Sequence, residues 1–224
     1  FKIDDDAELE SFFGQKPDVA YIMEEFVDGD ICTFDGLTDR DGNLVFFTSH
    51  VYSQGIMETV NEALDVYYYS ERKIPSDLEE LGRKTVNAFG VRERFFHFEF
   101  FRLPENGKLV ALEVNMRPPG GLTTDMFNYA NDINIYREWA NIVVFDRFTA
   151  DYTRPYHCCY AGRRFRNQYA HAHQEIVDVL GRRLVHHEQI NSTFGMALGD
   201  YGYLVRSPSL EETHAMAQYI LQQA

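Results

Sequence analysis

Between Phe96 and Gly121 the chain reads FHFEFFRLPENGKLVALEVNMRPPGG, with apolar residues alternating on both sides of the turn signal PENG. This period of two predicts a hairpin. Phe96, Phe98 and Phe100 share one face of the first strand, which leaves Glu99 on the other beside His97. In the second strand Leu109, Ala111, Glu113 and Asn115 share a face, and Val110, Leu112 and Val114 fill the opposite one. Each strand thus points one carboxylate to one side. A two-residue Asn106-Gly107 turn places Glu99 opposite Val114; a three-residue loop, Glu105-Asn106-Gly107 with its glycine left-handed, places Glu99 opposite Glu113 and His97 opposite Asn115.

The same pattern divides the rest of the chain into mixed elements. A short strand end at FKI precedes a helix around Ala7 to Phe13 with Asp4 to Asp6 as N-caps, then a loop from Gly14 to Asp18. VAYIMEEFVDGD reads as a strand ending in a turn, and ICTFDGLTDRDGNLVFFTSHVYS as a hairpin around DRDGN. VNEALDVYYY fits a helical turn or a strand. Ser76 and Glu79 form a capping box before a helix carrying Leu78, Leu81, Thr85 and Phe89, with Gly90 as the stop. A helix from about Thr124 to Phe145 carries Met126, Tyr129, Ile133, Tyr136 and Ile142, and the Asn-Asp run at Asn131 to Asn134 is where it breaks. After Asp146 short strand-like pieces follow, closed by a helix capped at Ser209.

With 224 residues, 45% of them hydrophobic, the chain supports one globular unit or two closely packed lobes. Its 35 acidic and 21 basic residues give a net charge of −14, which argues against binding nucleic acid or an anionic membrane surface. A small anionic ligand stays open, because an arginine or a metal reverses the field locally. Cys32, Cys158 and Cys159 are odd in number and two are adjacent, which favours a reducing compartment. There is no apolar run of about 18 residues and no signal peptide, so the expectation is a cytoplasmic chain.

Opposed carboxylates have β-carbons about 5 Å apart, which is unfavourable unless one is protonated or a cation lies between them. Glu99, Glu113 and the Asn115 amide make an all-oxygen set that suits Mg²⁺ better than zinc. The plain alternative is a pair of edge-strand charges facing water. Arg117 and the rigid Pro118-Pro119-Gly120-Gly121 favour the site, since they add a fixed cation for phosphate or carboxylate and a backbone open to close approach.

Three stretches, YIMEEFVDGDICTFDGL, RFFHFEFF and ALEVNMRPPGG, together resemble the carboxylate–amine ligases of the ATP-grasp superfamily. LEVNMRPPGG is the most specific of them. The resemblance implies an α+β fold, an ATP-grasp-type antiparallel sheet packed with helices, plus a small carboxyl-terminal α/β subdomain. It implies that Glu99, Glu113 and Asn115 hold Mg²⁺ (or Mn²⁺) on the phosphates of ATP. Arg117 then contacts the γ-phosphate or an acyl-phosphate. Glu24, Glu25, Phe26 and Val27 resemble the hinge that receives adenine, with the backbone of Glu25 and Val27 meeting the base edge. The family's ribose-binding acid falls at Ile31 here, and Asp30, one residue earlier, is its substitute. On this resemblance residues 1–28 are a remnant of the small lobe with the hinge, 29–150 the large lobe with the metal site, and 151–224 the subdomain. The family's glycine-rich phosphate loop and its lysine normally lie upstream of a strand like FKI, so the chain is expected to be part of a longer ligase. Its substrates are then a small carboxylate and an amine, one of them an amino acid, and a homodimer is compatible with it.

Two rivals are a nucleotide-binding but catalytically silent module and a hydrolase using Glu99 and Glu113 as an acid/base pair. Direct apposition opposes the hydrolase, since the pair would share one site instead of flanking a bond. His171, His173, His186 and His187 read as solvated or core histidines before a metal cluster, Tyr67-Tyr68-Tyr69 as packing before a stacking platform, and Arg163, Arg164 and Arg166 as a solvated basic loop before a cradle for a substrate carboxylate.

Overall fold

A computed structural model describes residues 1–53 and 64–224. Its strands are β1 (Asp30–Thr38), β2 (Leu44–Thr48), β3 (His50–Tyr52), β4 (Val66–Ser70), β5 (Phe95–Arg102), β6 (Leu109–Asn115), β7 (His157–Arg163), β8 (Leu184–Gln189) and β9 (Tyr201–Ser207). They form one sheet in the order β6-β5-β1-β3-β4-β7-β9-β8, with β2 also on β1. Every pairing is antiparallel. The strands after residue 150 therefore extend the sheet that carries Glu99.

Helices cover both faces. On one, α3 (Thr123–Asn131) lays Met126 and Ala130 against Ile31, Tyr68, Tyr160 and Leu204. On the other, α2 (Ser76–Ala88) covers Phe34, Phe96, Phe98 and Phe100 with Leu78 and Val86. Farther along that second face, α5 (His173–Leu180) and α6 (Leu210–Leu221) cover Cys159, Ala161 and Val205. Each fully buried phenylalanine contributes about 1.5–3 kcal/mol of transfer free energy, so the aromatic strands anchor the sheet. Cys158 and Cys159 follow each other on β7 and so enter opposite layers. All three cysteines are free and buried.

Several expectations hold at their named residues. Asp5 caps α1 (Asp6–Gln15), Gly90 follows α2 at φ +60°, and Ser209 accepts from Glu212 N–H at 3.3 Å. The expected break falls where Asp132 turns left-handed and Asn134 caps α4 (Ile135–Phe145). Tyr68 packs between Tyr52 and Tyr160 at ring separations of 4.6 and 5.1 Å. Of VNEALDVYYY, the strand reading holds from Val66, and residues 60–63 lie outside the described residues.

Others are corrected. Residues 19–29 have no ladder and stand mostly exposed; pairing starts at Asp30, against Arg102. Ser76 is inside its helix, with Pro75 at the N-cap and no side-chain cap bond, because the turn closes one residue early through Glu79 N–H on the Pro75 carbonyl at 3.0 Å. Arg163 and Arg164 are buried, not solvated. They donate to the carbonyls of Ile220 and His171, and of Leu64, Gly195 and Met196.

Candidate functional site

The β5–β6 hairpin sets the register of the site. Arg102 pairs with Leu109, Phe101 with Val110 and Phe100 with Ala111, and the Leu103 N–H donates to the Lys108 carbonyl at 2.9 Å. The loop is thus Pro104 to Gly107, one residue longer than expected, and a regular ladder would bring Leu112 opposite Glu99. A bulge between the Phe100 and Glu99 pairs absorbs that residue. Glu99 consequently faces Glu113, Phe98 faces Val114, and His97 faces Asn115. The bulge also corrects the faces of β6: Leu109 packs in the same core cluster as Val114, on the side away from Glu113.

Beneath Glu99 lies a buried polar chain. The His97 Nε2–H meets Glu99 Oε1 at 2.9 Å, and its Nδ1–H donates to Asp35 Oδ1 at 2.5 Å. Asp35 also accepts from His50 Nδ1 at 2.8 Å and from the Thr33 hydroxyl. Thr33, Asp35 and His50 are fully buried, and His50 stacks on Phe127 of α3 at 5.7 Å. Burial alone raises the Asp35 carboxyl, but the charge of His97 and the bonds from His50 and His97 hold it well below the usual range. Burial lowers His97, and the Asp35 carboxylate with both hydrogen bonds outweighs it, raising the imidazole to about 10.

Glu113 is exposed, Glu99 is 8% exposed, and Asn115 is half-buried with a buried Nδ2 that has no hydrogen-bond partner. That Nδ2–H is a donor without an acceptor, which fits a neighbouring anionic oxygen; the amide atom able to ligate a cation is Oδ1. Among the described residues no three His, Cys, Asp or Glu side chains gather to hold a metal ion, so two carboxylates and one amide are what those residues offer. Arg117 lies two residues beyond β6, exposed, with Nη1 donating to the Pro118 carbonyl at 3.0 Å. The Gly120-Gly121 turn is fitted to the protein: a β-carbon on Gly121 would sit 2.3 Å from Leu198 Cδ1, and one on Gly120 would sit 3.1 Å from Phe194. Tyr68 and Thr123 bond at 2.8 Å behind it.

Glu24, Glu25 and Phe26 are exposed and Val27 is half-buried, on the segment leading into β1. Asp30 pairs with Arg102 and Thr33 with Glu99, so Asp30 lies about 10 Å along the strand from the carboxylate pair. The hinge segment thus enters β1 at the Asp30–Arg102 end, whereas β6 leaves towards Arg117 at the other end, beyond the His97–Asn115 pair, with the carboxylates between them. Sequence reasoning missed Asp35, His50 and Thr33. Thr33 and Asp35 flank Phe34 at a spacing of two in an otherwise apolar strand, which is the one signal they leave. The four carboxyl-terminal histidines are partnered: His171 with Glu175 at 2.8 Å, His173 with Tyr203 at 3.0 Å, His186 with Glu188 at 3.2 Å and His187 with Tyr201 at 2.8 Å.

The fold is of the α+β class, a nine-stranded antiparallel sheet flanked by helices, with opposed glutamates, an asparagine and an arginine on and just after its β5–β6 hairpin. The model of the ATP-grasp domain matches residues 8–125, and the chain belongs to that family. No curated protein matches it. Among solved structures, it is similar to the phosphoribosylaminoimidazole carboxylase ATPase subunit from Aquifex aeolicus, with 16% identity over 90% of this chain and 58% of that one at a TM-score of 0.62. It is also similar to phosphoribosylglycinamide synthetase from Anaerococcus prevotii, with 10% identity, 97% and 58% coverage and a TM-score of 0.57. The biotin carboxylase domain of the Hydrogenobacter thermophilus 2-oxoglutarate carboxylase, a dimer in complex with MgADP and bicarbonate, shares 14% identity over 87% of this chain and 46% of that one, at a TM-score of 0.56. At these identities the likeness is one of fold, and the chain spans about half the length of the structures it matches.

Proposed function

We propose that the chain belongs to an ATP-dependent ligase that joins a carboxylate to an amine through an acyl-phosphate, with an amino acid among its substrates. The observation that carries this reading is the register that sets Glu99 against Glu113, with Asn115 and Arg117 following on the same strand and its exit. ATP with Mg²⁺ (or Mn²⁺) fits the all-oxygen set of the two carboxylates and the Asn115 Oδ1, which leaves the unpaired Asn115 Nδ2–H for an anionic oxygen. On this reading residues 1–28 belong to the small lobe and adenine hinge, 29–150 to the large lobe, and 151–224 to the carboxyl-terminal subdomain. Glu24, Glu25, Phe26 and Val27 would receive adenine largely through backbone groups, and Asp30 would meet the ribose.

A carboxylate must be activated before an amine displaces its oxygen. Bound at Glu99, Glu113 and Asn115, Mg²⁺ would neutralise charge on the transferred phosphoryl group. Arg117, exposed two residues beyond the same strand, would supply a cation to the phosphoryl oxygens or to the oxyanion of amine attack. Glu99, held from below by His97, keeps its other oxygen for the site.

Calorimetry with Mg²⁺-ADP on the wild type and Glu113→Gln tests the reading. Losing one charged ligand is expected to weaken binding about tenfold or more without lowering the melting temperature. Equal affinity removes Glu113 from the site. A screen for amino-acid-dependent ADP formation then separates a ligase from a silent nucleotide-binding module, which would bind without turnover.

A further inference from the structure

Two carboxylates are expected to contact the metal, yet they are held very differently. Glu113 stands exposed at its strand position, whereas Glu99 is nearly buried and tied at Oε1. The tie runs inward through side chains from three strands: His97 on β5, Asp35 and Thr33 on β1, His50 on β3. Both ring nitrogens of His97 face carboxylate oxygens, so both donate, and the ring cannot rotate without breaking one bond or the other. Asp35 in turn has His50 and Thr33 on its second oxygen, and the Thr33 hydroxyl accepts from the His50 backbone N–H at 3.0 Å. Each member is thereby fixed by the one behind it, and the chain ends in the core under α3.

A histidine that served packing alone would be satisfied by Asp35 and would have no need of Glu99. Resting on the proposed function, we propose that His97 is a positioning residue for the metal site: backed by Asp35, it takes one oxygen of Glu99 and aims the other at the metal between Glu99 and Glu113. Carboxylates that ligate metals are commonly oriented by such outer partners, whose loss lowers metal affinity by roughly 10–100-fold.

The two ring nitrogens allow this role to be separated from a structural one. In His97→Asn the amide nitrogen lies near the position of Nδ1, so the bond to the buried Asp35 is kept and the bond to Glu99 is lost. In His97→Gln it lies near Nε2, so Glu99 keeps its donor and Asp35 loses one. Thermal melting without metal is expected to rank wild type above His97→Asn above His97→Gln, because Asp35 is the more deeply buried partner. Mn²⁺ affinity in the presence of ADP, read from the electron paramagnetic resonance signal of free Mn²⁺, is expected to rank the other way: His97→Gln within about threefold of wild type, His97→Asn about tenfold weaker. Affinities that follow the melting order, or His97→Asn binding like wild type, would overturn the proposal and leave the functional reading standing. No Mn²⁺-ADP binding by the wild type would overturn both. Should neither variant fold, Thr33→Val removes the hydroxyl from Asp35 with little change of shape; about threefold weaker Mn²⁺ binding supports the relay, and unchanged binding overturns it.

Discussion

Glu71 shows how one side chain's surroundings fix the sign of its effect on stability. The Ser49 hydroxyl donates to its Oε2 at 3.1 Å, while Arg102, whose charge acts on it, is committed to Asp77 at 2.6 Å. Burial is the leading influence and raises the carboxyl above its ordinary 4.5, with the Ser49 bond and the Arg102 charge pulling only partly against it. The folded state therefore holds the proton more tightly than the unfolded one, so ionised Glu71 burdens the fold near pH 7, and the burden lifts as pH falls through the raised value. Glu71→Gln keeps the Ser49 partner and removes the charge. It is expected to melt above wild type at about pH 7, the gap closing towards pH 4. A variant that melts lower at neutral pH would mean that the attraction to Arg102 outweighs burial.

Between elements, the tightest constraint is where α2 lies on β1. A β-carbon on Gly82 would sit 2.2 Å from Phe34 Cδ1, and Phe34 is itself held by Phe96 at 5.8 Å and Phe47 at 5.6 Å. Helix propensity favours alanine over glycine by about 1 kcal/mol, but forcing a methyl into a packed layer costs about 1–3 kcal/mol. Overpacking wins, so Gly82→Ala is expected to lower the unfolding free energy in urea by about 1 kcal/mol, and a more stable variant would show that the layer gives way. Glu99 and Glu113 were legible as partners because alternation and a turn signal are local in sequence. The way they meet was not: the loop is longer than the glycine position suggested, and the bulge at Leu112 compensates. The strand expected at residues 19–29 fails for a related reason, since alternation cannot reveal whether a partner strand exists. Asp35 and His50 were invisible as a pair because β1 and β3 bring them together across fifteen residues that pattern alone does not connect.

For the molecule as a whole, the question is whether residues 151–224 could be removed from the part that carries the site. Composition changes after Asp146, which suggests a boundary, but β7 pairs with β4 from Val66 to Tyr69 and continues through β9 to β8. One core cluster contains Ile31 and Tyr68 from the first part with Tyr160 and Leu204 from the second, and Tyr160 donates to the Leu198 carbonyl at 2.7 Å. Cutting after Ala150 would expose Tyr68, strip Met126 and Ala130 of half their cover, and leave β4 as an open edge able to pair with another chain. Independent folding is therefore not expected of residues 1–150. That segment, expressed alone, is expected to lose the cooperative melt of the 224-residue chain and to aggregate, with loss of Mn²⁺-ADP binding because α3 and the Thr123 contact to Tyr68 no longer fix the turn after Arg117. Size-exclusion chromatography and a thermal melt decide it. A monomeric, cooperatively melting 1–150 segment would mean that the sheet has two independent halves, and that the site needs only the first.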